Sequence, residues 1–413
     1  MKFFFPDSQD QIGPFFNFES EEHPVHRVRQ RDDLYAHEAL RRTPYDGMLV
    51  SKAIVDGVMD RGSKFTEAQR ERIYRTGAHN FYRLKNRRHH LEIMGDCGAF
   101  AYVDEEEPPY SLDEVIDFYE GVGLDLGVSM DHIVFGYLSE AQKKKGQGVE
   151  ADWVRRQELT IEIAAEFYKL VRKQGCGFTP LAVAHGWSPE SYQRAVKDLQ
   201  KIGYQRIALG GMVPLRSNDV LDVVSATADV RKNTTEFHLL GLTRTEHMSE
   251  FANGGVTSFD STSPFRQSFM DDKDNYYTLN STFVALRVPQ HDGNPALKRR
   301  IQAGEVDQQD AVDAERLCLK TLRAFDAGKA SVDRAVAALR AYEMIYDTKE
   351  RDRSDSYRRT LETAPWKSCK CGICQDVGIE VMIFRGAERN KRRGFHNLAV
   401  FKRRLNRTIT TRR

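Results

Sequence analysis

From the N-terminus to about residue 290, short apolar runs alternate with longer stretches whose apolar positions recur every three or four residues. The first pattern marks strands and the second amphipathic helices. Residues 2–5, 91–94, 98–103, 129–134, 178–184, 206–208, 236–240 and 258–260 read as strands. Residues 111–121, 152–173, 188–203 and 243–253 read as helices between them. Ser111 followed by Glu114 forms a capping-box start, and Ser188 with Ser191 a weaker one. Repeated strand–helix units imply parallel strands joined by helical crossovers, and roughly eight of them imply an α/β fold closed into a (β/α)₈ barrel.

The pattern changes at Pro295. Up to Pro365 the chain is charged and helical, with amphipathic helices over 311–325 and 331–346. Residues 350–359 are almost wholly polar and read as an exposed connection. The expected organisation is therefore a barrel over 1–294, a helical insertion over 295–365, and a C-terminal module over 366–413 that completes the barrel.

Composition adds limits. A 40% hydrophobic content over 413 residues supports a sizeable core, and no apolar run approaches the roughly 20 residues that span a bilayer. The opening Met1-Lys-Phe-Phe-Phe-Pro6 is interrupted at once by Asp7 and Asp10, which reads as a buried strand rather than a leader. Cys97, Cys176 and Cys318 are scattered, as expected of reduced thiols in a cytoplasmic protein. The other three cysteines crowd into Cys369-Lys-Cys371-Gly-Ile-Cys374, with His396 downstream. Three thiolates and an imidazole are the donor set of a closed tetrahedral Zn²⁺ site, structural because it leaves no open position. The net charge of +2 hides an asymmetry: after Glu388 there is no acidic residue. Lys391, Arg392, Arg393, Lys402, Arg403, Arg404, Arg407, Arg412 and Arg413 follow it. Such a run beside a zinc module points to a phosphate backbone as partner.

Chemistry is expected where barrel strands end. Asp96 lies in Met94-Gly-Asp96-Cys-Gly-Ala-Phe100, Asp131 in Ser129-Met-Asp131-His, and Asp260 in Ser258-Phe-Asp260-Ser. Each follows a candidate strand, and Leu209-Gly210-Gly211-Met212 follows another.

These segments, in this order, resemble the tRNA-guanine transglycosylase superfamily, zinc-bearing TIM barrels that exchange guanine for a 7-deazaguanine base. Asp96-Cys-Gly-Ala-Phe100 is similar to that family's Asp-Ser-Gly-Gly-Phe, Leu209-Gly210-Gly211-Met212 to its Gly-Gly-Leu segment, and Phe259-Asp260 to its Phe-Asp nucleophile segment. Cys369, Cys371, Cys374 and His396 match its zinc signature, with a somewhat short gap before the histidine. The likeness runs from about residue 90 to 400.

There are departures. Val183-Ala-His185-Gly186-Trp187 stands where the tRNA enzymes carry Gln-Gly-Gly, and Ser263-Pro264-Phe265-Arg266 where they carry Pro-Thr-Arg. The helical segment 295–365 has no place in a compact bacterial tRNA enzyme, and no PUA-like domain follows the zinc module. With the opening Lys2-Phe-Phe-Phe-Pro-Asp-Ser8, these features look like the DNA-guanine transglycosylases of 7-deazaguanine DNA-modification systems. The resemblance implies Asp260 as nucleophile and Asp96 as general acid and base. It implies Asp131, Gly210, Gly211, Met212 and His185 as base contacts. DNA is the implied substrate, with tRNA as rival, and 7-cyano-7-deazaguanine the incoming base. Other proteins of a modification system are implied partners. A base reached this way must leave the stack.

Overall fold

The structure is a computed structural model that describes residues 1–58, 62–84, 91–270, 273–349 and 351–410. Two compact units emerge. The first comprises Met1–Gln9, Tyr45–Thr262 and Leu405–Arg413, and the second Asp10–Pro44 and Ser263–Arg404.

The first unit is a closed barrel of eight parallel strands in chain order. They are β1 (Lys2–Pro6), β2 (Gly47–Ser51), β3 (Glu92–Asp96), β4 (Leu126–Val128), β5 (Thr179–Ala184), β6 (Arg206–Leu209), β7 (Glu236–Leu239) and β8 (Val256–Asp260). Closure is made by β1 against β8, with Phe3 opposite Phe259 and Phe4 opposite Asp260. Inward side chains such as Phe4, Leu49, Met94, Leu181 and Val183 pack into one apolar cluster, each contributing about 1.5–3 kcal/mol on burial.

Three local expectations need correction. Residues 98–103 form no strand: Gly98 turns left-handed at φ 84° and Ala99–Ala101 make a single 3₁₀ turn. Residues 129–134 are buried but irregular, and the strand is the preceding Leu126–Val128. There Gly127 lets the rings of Phe178 and Tyr119 approach, since a Cβ would meet them at 2.6 and 2.7 Å. The second strand, Gly47–Ser51, is fully buried yet escapes the pattern, because the stretch from β1 carries only one four-residue helix rather than a full crossover.

In the second unit the long helices are Gln308–Asp326, Val332–Tyr346 and most of Gly386–Thr410. The first two are the expected amphipathic pair, capped by the side chains of Asp307 and Ser331. The polar stretch after 350 is itself largely helical: Ser354–Thr363 buries Tyr357, Thr360 and Leu361, so three inward positions suffice to dock it. Among the described residues no helix is long and apolar enough to cross a membrane.

Candidate active site

The carboxyl ends of β3 and β8 are Asp96 and Asp260, and Asp131 stands three residues past β4. The barrel thus carries all three aspartates at one end, the end where such barrels hold their chemistry. None forms a salt bridge with a lysine or arginine among the described residues. Asp96 accepts from the backbone N–H of Gly98 at 3.0 Å. Burial, and then the negative charges of Asp131 and Asp260, push its pKa up to about 7. A carboxyl poised there can give and take a proton at neutral pH.

Asp131 is buried and accepts from Nε2 of His185 at 2.7 Å. An ionised carboxylate can only accept, so His185 carries its proton on Nε2. Its Nδ1 is buried without a hydrogen-bond partner, and such an atom is costly unless something else satisfies it. The imidazole lies against the glycine pair, where a Cβ on Gly210 would meet His185 Cε1 at 2.6 Å. Gly211 turns at φ +74° and a Cβ there would come within 2.7 Å of the Val134 carbonyl. Both glycines are therefore demanded by close packing. The N–H of Gly210 is already given to the Ala184 carbonyl at 3.0 Å, so it is not free for a ligand, and Met212 is fully buried.

Asp260 is 6% exposed. Its Oδ1 accepts from the Gly241 N–H at 2.8 Å and lies 3.2 Å from Nε2 of His238, a residue the sequence reading passed over. The signal was there: His238 sits in β7 between the fully buried Phe237 and Leu239, and strand alternation puts it on the barrel's inner face.

In the second unit, Cys369, Cys371, Cys374 and His396 bring their ligand atoms within 4.8 Å of one another. The sulfurs lie 3.5, 3.5 and 3.3 Å from His396 Nδ1. His396 Nε2 donates to the Tyr277 carbonyl at 2.7 Å. That bond fixes the tautomer and turns the Nδ1 lone pair onto the sulfurs, the usual support of a ligating histidine. The ring of Tyr276 stacks on the imidazole at 3.8 Å. The cluster can hold a metal ion.

The basic run is not one surface. It lies on the helix Gly386–Thr410, where Arg392 and Arg393 point inward and are buried. Arg392 bonds Glu388 and the Gly13 carbonyl, and Arg393 bonds the carbonyls of Ser268 and Val381. Arg404 donates from Nε to the Thr278 carbonyl at 2.8 Å. Arg403 and Arg407 are exposed. Arg403 helps line a cavity of ≈ 300 Å³ with Lys370, Tyr277 and Asn280, beside the metal cluster. Arg412 and Arg413 lie outside the described residues.

No protein-family model matches the chain. It is 46% identical to the DNA-guanine transglycosylase of Salmonella montevideo over 416 aligned residues, covering 100% of this chain and 98% of that one. It is 20% identical to a queuine tRNA-ribosyltransferase of Roseiflexus over 48% of this chain and 51% of the relative. A tRNA-guanine(15) transglycosylase of Methanococcus aeolicus is 24% identical over 36% of this chain and 22% of its own length. Full-length likeness at this level, on a closed barrel bearing the strand-end aspartates and a Cys₃His cluster, makes the chain a member of the DNA-guanine transglycosylase family, whose enzymes are glycosyltransferases acting on DNA.

Proposed function

We propose that the chain exchanges guanine in DNA for 7-cyano-7-deazaguanine through a covalent Asp260–deoxyribose intermediate. The observation that carries the reading is the carboxyl of Asp96, raised to about 7 by burial and by the charges of Asp131 and Asp260. An ionised nucleophile beside a protonated acid is what base exchange requires.

In the first half-reaction an Asp260 carboxylate oxygen bonds C1′ of the target nucleotide as the C1′–N9 bond breaks. The electron pair leaves with guanine, and protonated Asp96 supplies the proton that lets it depart neutral. In the second half, Asp96 takes the proton from the incoming base. That base attacks C1′, the C1′–O bond breaks, and Asp260 is released as a carboxylate. Asp131 is the acceptor for the N1–H and 2-amino edge that both bases share. The unsatisfied Nδ1 of His185 lies beside Gly210 and Gly211, and these glycines with Met212 shape the base site by close packing rather than through the Gly210 N–H. The base must be flipped out or presented in a single strand. Other proteins of a modification system, and a cytoplasmic setting with free thiols, belong to this reading.

The metal is taken to be Zn²⁺, held by Cys369, Cys371, Cys374 and His396 in a closed shell that stabilises the fold. Cys371→Ser is expected to lose metal and melting temperature together, as measured by metal analysis and calorimetry. The experiment that tests the activity is nucleoside mass spectrometry of DNA and tRNA from cells with and without the gene. Loss of a deazaguanine from DNA supports the reading; its loss from tRNA alone overturns it.

A further inference from the structure

Asp260 is held from one side only. Its Oδ1 takes two donors, the Gly241 N–H at 2.8 Å and His238 Nε2 at 3.2 Å. Among the described residues Oδ2 has no hydrogen-bond partner. A carboxylate with one oxygen bound and the other bare presents a single attacking atom.

His238 is itself fixed. Its imidazole is 2% exposed, meets the Phe4 ring edge-on at 5.8 Å, and has Nδ1 2.8 Å from the Ser258 hydroxyl. A carboxylate cannot donate, so Nε2 carries the proton toward Asp260, and in that tautomer Nδ1 accepts the Ser258 O–H. Ser258 and Asp260 are two residues apart on β8, on the same face, so one strand presents both ends of the clamp to one ring on β7. A histidine serving only as core filler has no need of two matched partners. The ring also lines, with Ser258, a cavity of ≈ 120 Å³ whose charged groups pair with each other as Lys2 with Glu92 and Arg206 with Glu236. The histidine is thus left to Asp260 and Ser258.

We infer that His238 is a positioning residue for the nucleophile: with Gly241 it binds Oδ1 of Asp260, Ser258 locks its tautomer, and Oδ2 is left to attack C1′. The inference rests on the assignment of Asp260 as nucleophile. When Oδ2 is bonded to C1′ the remaining oxygen becomes a carbonyl that still accepts from both donors, so the clamp persists through the intermediate and favours return of the same atom.

The test is single-turnover adduct formation with a guanine-containing oligonucleotide, alongside equilibrium binding of free 7-cyano-7-deazaguanine. His238→Phe keeps the aromatic packing and removes both hydrogen bonds. It is expected to slow adduct formation about 10- to 100-fold with base affinity within about twofold, as loss of orientation predicts. His238→Gln returns a donor near the place of Nε2 and is expected to restore most of that rate. Ser258→Ala leaves the ring in place and is expected to slow the adduct by about threefold or more. An unchanged rate in His238→Phe overturns the inference, as does His238→Gln no better than His238→Phe. Should His238→Phe not fold, an unchanged rate in Ser258→Ala overturns it alone. Peptide mapping of the wild-type adduct keeps the two readings apart. An adduct on another residue removes the Asp260 assignment, whereas an Asp260 adduct forming normally without the His238 bonds removes only the clamp.

Discussion

In the second unit, buried arginines sit beside buried or half-buried glutamates; at the barrel's carboxyl end, buried Asp131 and Asp260 and half-buried Asp96 sit beside one another. Arg385 pairs with Glu21 and Glu315, Arg389 with Glu21 and Glu380, and Arg392 with Glu388. Arg393, lacking an acid, is wrapped by backbone carbonyls of Ser268, Val381 and Ile383. Such charges are compensated and do architecture. Asp96, Asp131 and Asp260 have only histidines and backbone N–H groups for partners, and Asp96 is raised to about 7 by burial and by the charges of the other two. Charge left without a compensating cation in this way is the signature of a candidate functional site.

The sharpest break of that contrast is Asp260→Asn. In the proposed reaction it replaces the attacking carboxylate by a neutral amide, and it is expected to lower exchange by about 10⁴-fold or more, read as lost adduct on denaturing gels, with the fold intact by circular dichroism. Exchange that persists removes the assignment.

Asp96→Asn separates activity from stability. Exchange should fall by about 10²- to 10⁴-fold. The folded Asp96 carboxyl has its pKa raised from 3.8 to about 7, so the folded state holds the proton more tightly than the unfolded one. Its cost to folding is absent below pH 3.8, grows between 3.8 and about 7, and is complete above. At about 1.4 kcal/mol per pH unit it reaches roughly 4 kcal/mol. The Asn variant should therefore melt higher than wild type at pH 8 and equally near pH 4. Wild-type exchange should decline as pH rises through about 7, where the acid form is lost.

The opposite outcome is expected in the arginine cluster. Glu380 joins Arg323 at 2.7 Å and Arg389 at 2.6 Å. Glu380→Gln leaves buried Arg389 and half-buried Arg323 short of a partner and should cost about 3–5 kcal/mol of stability, measured by urea unfolding, while turnover per folded molecule stays unchanged.

The smallest effect belongs to Arg403. Arg403→Gln should weaken DNA binding mildly and reduce the slope of log affinity against log salt by about one. Arg404→Gln should instead lower stability, because that side chain is spent on the Thr278 and Ser281 carbonyls. A slope in Arg403→Gln unchanged from wild type would mean that Arg403 touches no phosphate.

Much of this was legible beforehand because it is local. The strand-end positions of Asp96 and Asp260 follow from where apolar runs stop, and Cys369, Cys371, Cys374 and His396 name their own coordination chemistry. Six of the eight strands appear as short apolar runs. Legibility fails where a residue's role depends on a partner distant in sequence. Gly47–Ser51 joins the ring only because β1 and β3 flank it. Arg392 reads as a surface cation until Glu388 and the Gly13 carbonyl claim it. Gly210 reads as a base contact until the Ala184 carbonyl takes its N–H. Periodicity reports which face of an element is buried, and spacing reports which ligands can meet within one turn. Neither reports which side chains paired strands bring together or which strand ends converge in a closed barrel, and so the setting of His238 against Asp260 and Ser258, and the pKa of Asp96 raised near two other carboxylates, were decided by tertiary structure alone.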